Sequence, residues 1–563
     1  MTQSLSSSAL GLLLLPVCLA GGIVVVTVAG ADAGATGAKM ERVQWPSPPL
    51  PAQNAAAGYV TSAACRECHR DEHASWHRSY HRTMTQPATP SSVLGRFDGS
   101  TVSSAGADYR VFREGDQLFA EMPDPDLVMY ILQGGHTLPL EKVPRVKRPV
   151  VMSTGSHHYQ TYWVTSARHP GLLQTLPLVY VPETGQWIPR EAAFMRAPAD
   201  RDRMVTQWNH HCIRCHSTGG NPGLNDKGEL ISKVGELGIA CEACHGPGRR
   251  HVELERAREL DPALAAPARD IHFIINPRKL EPVRSTEVCG QCHGNYVLKE
   301  EHALEFARNG PLYHPGEDLH RTRYYIQYPG EDATPEQKFE LQRNAEFFAS
   351  RWWDDGTILA GGREFTALQA TPCHTRGTMS CLSCHSMHDS EPDDQLKHAR
   401  DDPSACTQCH GEERFTSRLT DHTRHAAQSS GSNCLNCHMP HTTYALFKAI
   451  RSHQIQSPQI RSSVRHGVPN ACNLCHLDKS LDWTQQHLAD WHGQSRHSLT
   501  AEQQKLPASI LWLLKGHAAQ RVITAWHLGW EPAKAVSGTN WLAPFAAQLL
   551  TDDYGPVRYV ATR

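Results

Sequence analysis

Eight copies of the pentapeptide C-x-x-C-H punctuate this chain and use 16 of its 18 cysteines. In order they comprise Cys65, Cys68 and His69; Cys212, Cys215 and His216; Cys241, Cys244 and His245; and Cys289, Cys292 and His293. Then come Cys381, Cys384 and His385; Cys406, Cys409 and His410; Cys434, Cys437 and His438; and Cys472, Cys475 and His476. The two thiols of such a motif add to the two vinyl groups of one porphyrin, and the histidine turns back to ligate its iron from one face. A random chain of this composition would hold about 0.04 copies, so eight demand a chemical reason. Zinc is the competing use of C-x-x-C pairs. A structural zinc site needs two pairs, or one pair with two histidines, and has no use for histidine directly after the second cysteine. A disulfide framework would favour longer spacings. The motifs therefore predict eight covalently bound c-type haems.

A haem iron has a second axial position, and its occupant decides the chemistry. A second imidazole closes the iron and suits it to electron transfer; an open position makes a substrate site. Eight of the 35 histidines belong to the motifs, which leaves 27. Candidate distal ligands are His81, ending W-x-x-S-x-H; His158 or its neighbour His157, in T-G-S-H-H-Y; His211 or His210, in W-N-H-H-C; and His251, in C-H-G-P-G-R-R-H. Four more are His388 in C-H-S-M-H, His425 ahead of the seventh motif, His453 in R-S-H-Q-I, and His374 in T-P-C-H-T-R-G, the weakest context. His487, His492, His497, His517 and His527 lie beyond the last motif and read as surface residues. Cys373, outside every pair, reads as a free thiol, with a sulfur ligand as the alternative.

The elements that must position these groups are expected to be mainly α and irregular. The expected fold is a multihaem cytochrome c core organised around eight haems, with a small β-rich insertion and a C-terminal α-helical repeat segment. Hydrophobic residues make up 40 % of the 563, a modest share, and buried macrocycles would supply the missing apolar surface. Folding is thus expected to be coupled to haem addition. Residues 1–31 read as a signal peptide, with a retained anchor as the alternative, since the apolar run from Ala9 to Ala31 lacks a preceding Lys or Arg. Residues 32–57 form a leader, 58–90 the first haem segment and 91–200 the β-rich insertion, with hairpin signals at Glu114-Gly115-Asp116 and His169-Pro170-Gly171. Haems 2–4 occupy 201–300, a mixed haem-free stretch 301–370, and haems 5–8 residues 371–480. Residues 481–563 carry apolar helical patterning and break off in what reads as an unfinished repeat. The net charge of −2 leaves no polybasic footprint for nucleic acid.

The runs W-x-x-S-x-H, W-N-x-x-C-x-x-C-H-S-T and G-I-A-C-E-A-C-H-G-P-G-R-R-H-V resemble multihaem cytochromes related to the tetrahaem cytochrome of nitrifying bacteria and to hydroxylamine oxidoreductase. M-S-C-L-S-C-H-S-M-H, S-G-S-N-C-L-N-C-H-M-P and P-N-A-C-N-L-C-H-L-D-K resemble the larger members, in which HEAT-like helical repeats follow the haem region. The resemblance spans residues 58–563 and implies closely packed haem pairs, mostly bis-histidine ligated, with His81, His251, His388, His425 and His453 at distal positions. The group holds both carriers and enzymes. No C-x-x-C-K motif, which marks the catalytic haem of pentahaem nitrite reductases, is present, and no one of the 15 tyrosines is singled out for the cross-link of hydroxylamine oxidoreductases. The expectation is an exported electron-transfer protein of the periplasm or cell surface, its partners quinol-linked proteins or other cytochromes. The alternatives are an oxidoreductase with one open-site haem acting on a small nitrogen or sulfur compound, and a filament or homo-oligomer with haems running through it. Membrane contact is expected only if the N-terminal segment is retained.

Overall fold

The computed structural model describes residues 14–19, 22–27, 50–133, 139–193, 206–263, 274–330, 332–361, 363–444 and 448–563. The two N-terminal pieces pair as a short hairpin, Leu14–Leu19 against Gly22–Thr27. The choice between signal and anchor rests on residues that mostly lie outside the described ones. Among the described residues no helix is long and apolar enough to cross a membrane.

The chain is 39 % helical and 17 % strand, which corrects the expectation of a mainly α and irregular fold. Its β structure centres on an eight-stranded antiparallel sheet: β1 (Thr85–Pro87), β2 (Asp98–Ser104), β3 (Ala107–Glu114), β4 (Gln117–Pro123), β5 (Arg145–Thr154), β6 (Gln160–Thr165), β7 (Leu173–Val181) and β8 (Gln186–Pro189). Strands β2 to β8 pair in sequence order, and β1 adds to β5. The Glu114-Gly115-Asp116 signal is the β3–β4 turn, where Gly115 takes φ +58°, a conformation that hairpin turns favour and bulkier residues resist. Register shifts in the β2–β3, β5–β6 and β6–β7 pairs curl the sheet, bringing its edge strands β2 and β8 towards each other.

Alternation sends Tyr109, Val111, Leu118, Ala120, Met122, Tyr162, Val164, Leu176 and Leu178 into one core inside the curl. The opposite face is not left to water. Met152, Trp163 and Leu173 pack with Trp208, Ile213, Val234 and Phe306, joining the sheet to the second haem motif. Val179 packs with Leu513, Val522, Leu549 and Val557 of the C-terminal helices. Strand β6 is therefore buried at every position, and β7 at all but one. Burial on both faces removes the solvent-facing side that polar alternation marks, and the polar Gln160, Thr161, Gln174 and Thr175 are buried with the rest.

After the last motif come seven helices: α1 (Leu481–His492), α2 (Ala501–Lys505), α3 (Ala508–Lys515), α4 (Ala518–Leu528), α5 (Glu531–Ser537), α6 (Ala543–Leu549) and α7 (Gly555–Ala561). They are tied to the eighth motif through polar contacts. Ser537 Oγ donates to the Cys475 carbonyl at 3.0 Å and accepts from the Leu477 amide at 2.8 Å, and Ser509 Oγ donates to the Leu477 carbonyl at 2.5 Å.

Trp163 is 2 % exposed and donates through Nε1 to Thr154 Oγ1 at 2.9 Å, at the joint between sheet and second motif. Trp163→Ala is expected to lower the unfolding free energy by about 3–5 kcal/mol in denaturant titration of the haem-loaded protein. A loss below about 1 kcal/mol would mean the sheet does not support that motif.

Candidate functional site

The motifs fold as tight turns in which the histidine amide donates to the carbonyl of the first cysteine. The distances are 2.9 Å for His69 to Cys65, 3.0 Å for His293 to Cys289, His385 to Cys381 and His410 to Cys406, and 2.7 Å for His476 to Cys472. One helical turn gathers residues i, i+3 and i+4 on one face, so two sulfurs and an imidazole point together.

The motifs touch one another in a row. Thiols meet between motifs one and three (Cys65 and Cys241), two and four (Cys215 and Cys292), four and five (Cys289 and Cys381), and six and seven (Cys406 and Cys434). Glutamines close two more joints. Gln291 Nε2 of the fourth motif donates to the Ala243 carbonyl of the third at 2.8 Å, and Gln408 Nε2 of the sixth to the Ser383 carbonyl of the fifth at 3.1 Å. The helices Cys434–His438 and Ala471–Cys475 of motifs seven and eight also pack together. The order is 1–3–4–5–6–7–8, with motif two branching from motif four. Groups from motifs one to seven line a cavity of about 2500 Å³.

Six motif histidines each face one histidine from elsewhere in the chain. Ring centres lie 6.4 Å apart for His69 and His251, 6.2 Å for His293 and His81, and 6.3 Å for His245 and His388. They are 6.2 Å for His385 and His453, 6.1 Å for His438 and His422, and 6.0 Å for His476 and His425. An imidazole nitrogen bonds a transition metal at ~2 Å and sits ~1.2 Å from its ring centre, so two rings sharing one ion from opposite sides stand ~6.4 Å apart. The observed separations match that span.

Several far nitrogens of these rings are anchored as ligand imidazoles require, whereas the buried Nδ1 of His388 has no hydrogen-bond partner among the described residues. Nδ1 of His245 meets the Ile275 carbonyl at 2.7 Å, that of His385 the Asp394 carbonyl at 2.9 Å, and that of His438 the Gln456 carbonyl at 3.0 Å. On the other side, His425 Nδ1 meets the Thr423 carbonyl at 2.6 Å and His453 Nδ1 the Arg451 carbonyl at 3.1 Å. His293 differs, with Nδ1 3.4 Å from Glu364 Oε2. Burial holds His81 and His476 down to about 4, which keeps each ring neutral with its lone pair available. Burial also pulls on His293, but the Glu364 carboxylate outweighs it and lifts that group to about 9.

Of the eight distal candidates, His81, His251, His388, His425 and His453 stand opposite motif histidines. His158 does not: its ring lies 3.9 Å from His157, which stacks on Tyr80 at 3.5 Å, and its Nδ1 meets Lys448 Nζ at 3.0 Å. His211 projects from the turn Trp208–Cys212 with its ring 6.5 Å from the buried His210. His374 carries the ligand-like anchor, Nδ1 on the Met379 carbonyl at 2.7 Å, but none of the described rings pairs with it. His216 is likewise without a facing ring among the described residues, and the ring packed on His410 is Phe415, at 5.5 Å. Sequence reasoning missed His422. It lies three residues before His425 in D-H-T-R-H, and the two serve different motifs, a choice that local context does not reveal. His527, read as a surface residue, is 1 % exposed, packed on His441 and Trp530, with Nδ1 on the Ile523 carbonyl at 2.7 Å.

These residues fit haem c: paired sulfurs on one side of a turn, an imidazole beside them, and a second imidazole at the span of one ion. They do not fit bare metal. Among the described residues no three His, Cys, Asp or Glu side chains converge to hold an ion, and the described cysteines form no disulfide.

Residues 185–246, which include the second and third motifs, match the family described as cytochrome c554 and c-prime. No curated protein matches the chain. Among solved structures, the outer cell wall cytochrome OcwA is similar at 16 % identity with a TM-score of 0.50, covering 90 % of this chain and 99 % of that one. An undecahaem cytochrome from the S-layer of Carboxydothermus ferrireducens aligns at 16 % identity with a TM-score of 0.34, over 90 % of this chain and 69 % of that one. Residues 185–246 are thus similar to the cytochrome c554 and c-prime family, within a chain whose eight C-x-x-C-H motifs fit haem c.

Proposed function

We propose that the chain binds eight haems and conducts electrons along the row of motifs at the cell surface, exchanging them with partner redox proteins. The observation that carries this reading is the set of six imidazole pairs at 6.0–6.4 Å, each joining one motif histidine to one from elsewhere. Haem supplies one-electron iron chemistry when bound. The polypeptide does the rest. Each facing pair of imidazoles would hold one iron, carbonyl contacts at Nδ1 of His245, His385, His438, His425 and His453 fix those rings' orientation, and touching motifs hold successive sites close. Cys68 of the first motif and Cys409 of the sixth are exposed, which gives the row contact with solvent at two separated points. The cell-surface placement is drawn from OcwA, named as an outer cell wall cytochrome, whose fold this chain shares.

One observation favours a second reading, an oxidoreductase. His216 and His410 have no imidazole facing them among the described residues, and the half-buried His216 has a buried Nδ1 with no hydrogen-bond partner there. A motif histidine with nothing opposite leaves room for a small nitrogen or sulfur compound.

Two measurements test the proposal. His422→Ala is expected to keep all eight macrocycles by mass spectrometry and to add one high-spin ferric signal in paramagnetic resonance; an unchanged spectrum would show that His422 ligates nothing. In the unaltered protein, cyanide, nitrite or hydroxylamine is expected to shift the spectrum of at most two irons. Perturbation of four or more would show that most sites are open and would defeat the conduction reading.

A further inference from the structure

Motif four is the junction of the row, touching motifs two, three and five through Cys292, Gln291 and Cys289. Its histidine is also set apart by what faces its outer nitrogen. His245, His385 and His438 meet neutral backbone carbonyls, whereas His293 faces the carboxylate of Glu364 at 3.4 Å.

The placement of that carboxylate is built into the fold. Glu364 opens the helix Glu364–Gln369, which is fastened to motif four by Phe365 N donating to the His293 carbonyl at 2.9 Å and Asn295 N donating to Thr366 Oγ1 at 3.1 Å. The close approach depends on glycine. A Cβ at Gly290 would stand 2.7 Å from the Phe365 ring, and one at Gly294 would stand 2.4 Å from Tyr325. A carboxylate behind a ligand imidazole increases the basicity of the ligating nitrogen and adds negative charge near the iron. Both effects favour the ferric state over the ferrous.

We propose that Glu364, holding its carboxylate behind His293, makes the iron bound between His293 and His81 the most reducing of the six bis-imidazole sites, so that the junction of the row stays ferric at potentials where its neighbours are reduced. The inference rests on the proposed binding of haem between these two histidines. Glu364 acts through His293 and is a positioning residue.

The test is a spectroelectrochemical titration of the full, haem-loaded protein, unaltered and as Glu364→Gln. One midpoint, the lowest of the six bis-imidazole sites, is expected to rise by at least about 59 mV, a tenfold fall in the ferric-to-ferrous ratio at fixed potential for one electron, with the other seven in place. An unchanged set of midpoints, with eight haems and the low-spin spectrum intact, would overturn the proposal. If Glu364→Gln does not assemble, Glu364→Asp, which keeps the charge but draws it back by one methylene, is expected to raise the same midpoint by less, and no change would again overturn it. The underlying reading fails separately: His81→Ala producing no new high-spin iron would show that no haem sits between His81 and His293.

Discussion

Six pairs of histidine rings stand 6.0–6.4 Å apart, the span that two imidazoles sharing one iron would need, and that spacing organises the molecule. Its effect is to join parts of the chain that are far apart in sequence. His251, just past the third motif, faces the first; His81, just past the first, faces the fourth; His388, just past the fifth, faces the third. Each such pair closes a long loop, whose closure costs more conformational entropy than a local contact does. Because the sites form only on folding, the free energy of ligation is also free energy of folding.

The protein frame meets this constraint with parts that carry little chemistry themselves. The curled sheet offers one face to its own core and the other to motif two and the C-terminal helices. Those helices in turn hold the loop after Cys475 through Ser509 and Ser537. Gly290 and Gly294 let a helix press against motif four. The frame places imidazoles to within a few tenths of an ångström of a common spacing.

The C-x-x-C-H turns were legible because they are local: five consecutive residues form one turn that gathers two sulfurs and an imidazole. Much of the opposing set was legible for a weaker reason, since His81, His251, His388, His425 and His453 follow or precede motifs in recognisable runs. His422 was not, because two histidines three residues apart look alike until the fold sends one to His438 and the other to His476. The β3–β4 hairpin was visible in its glycine turn, but the size of the sheet was not. Strands β6 and β7 were read as the runs flanking His169-Pro170-Gly171, but no local signal reported β5, whose pairing with β4 and β6 joins the hairpins into one sheet. His527 was misread because a histidine in a helix can satisfy Nδ1 on the carbonyl one turn back and vanish into the core.

Near-infrared magnetic circular dichroism of the fully oxidised protein tests the central claim most directly, since its charge-transfer intensity counts irons held between two imidazoles. The geometry calls for six such irons out of eight. A count below six would mean that some facing rings share no metal, and a count of eight would mean that His216 and His410 find partners that the described residues do not give them.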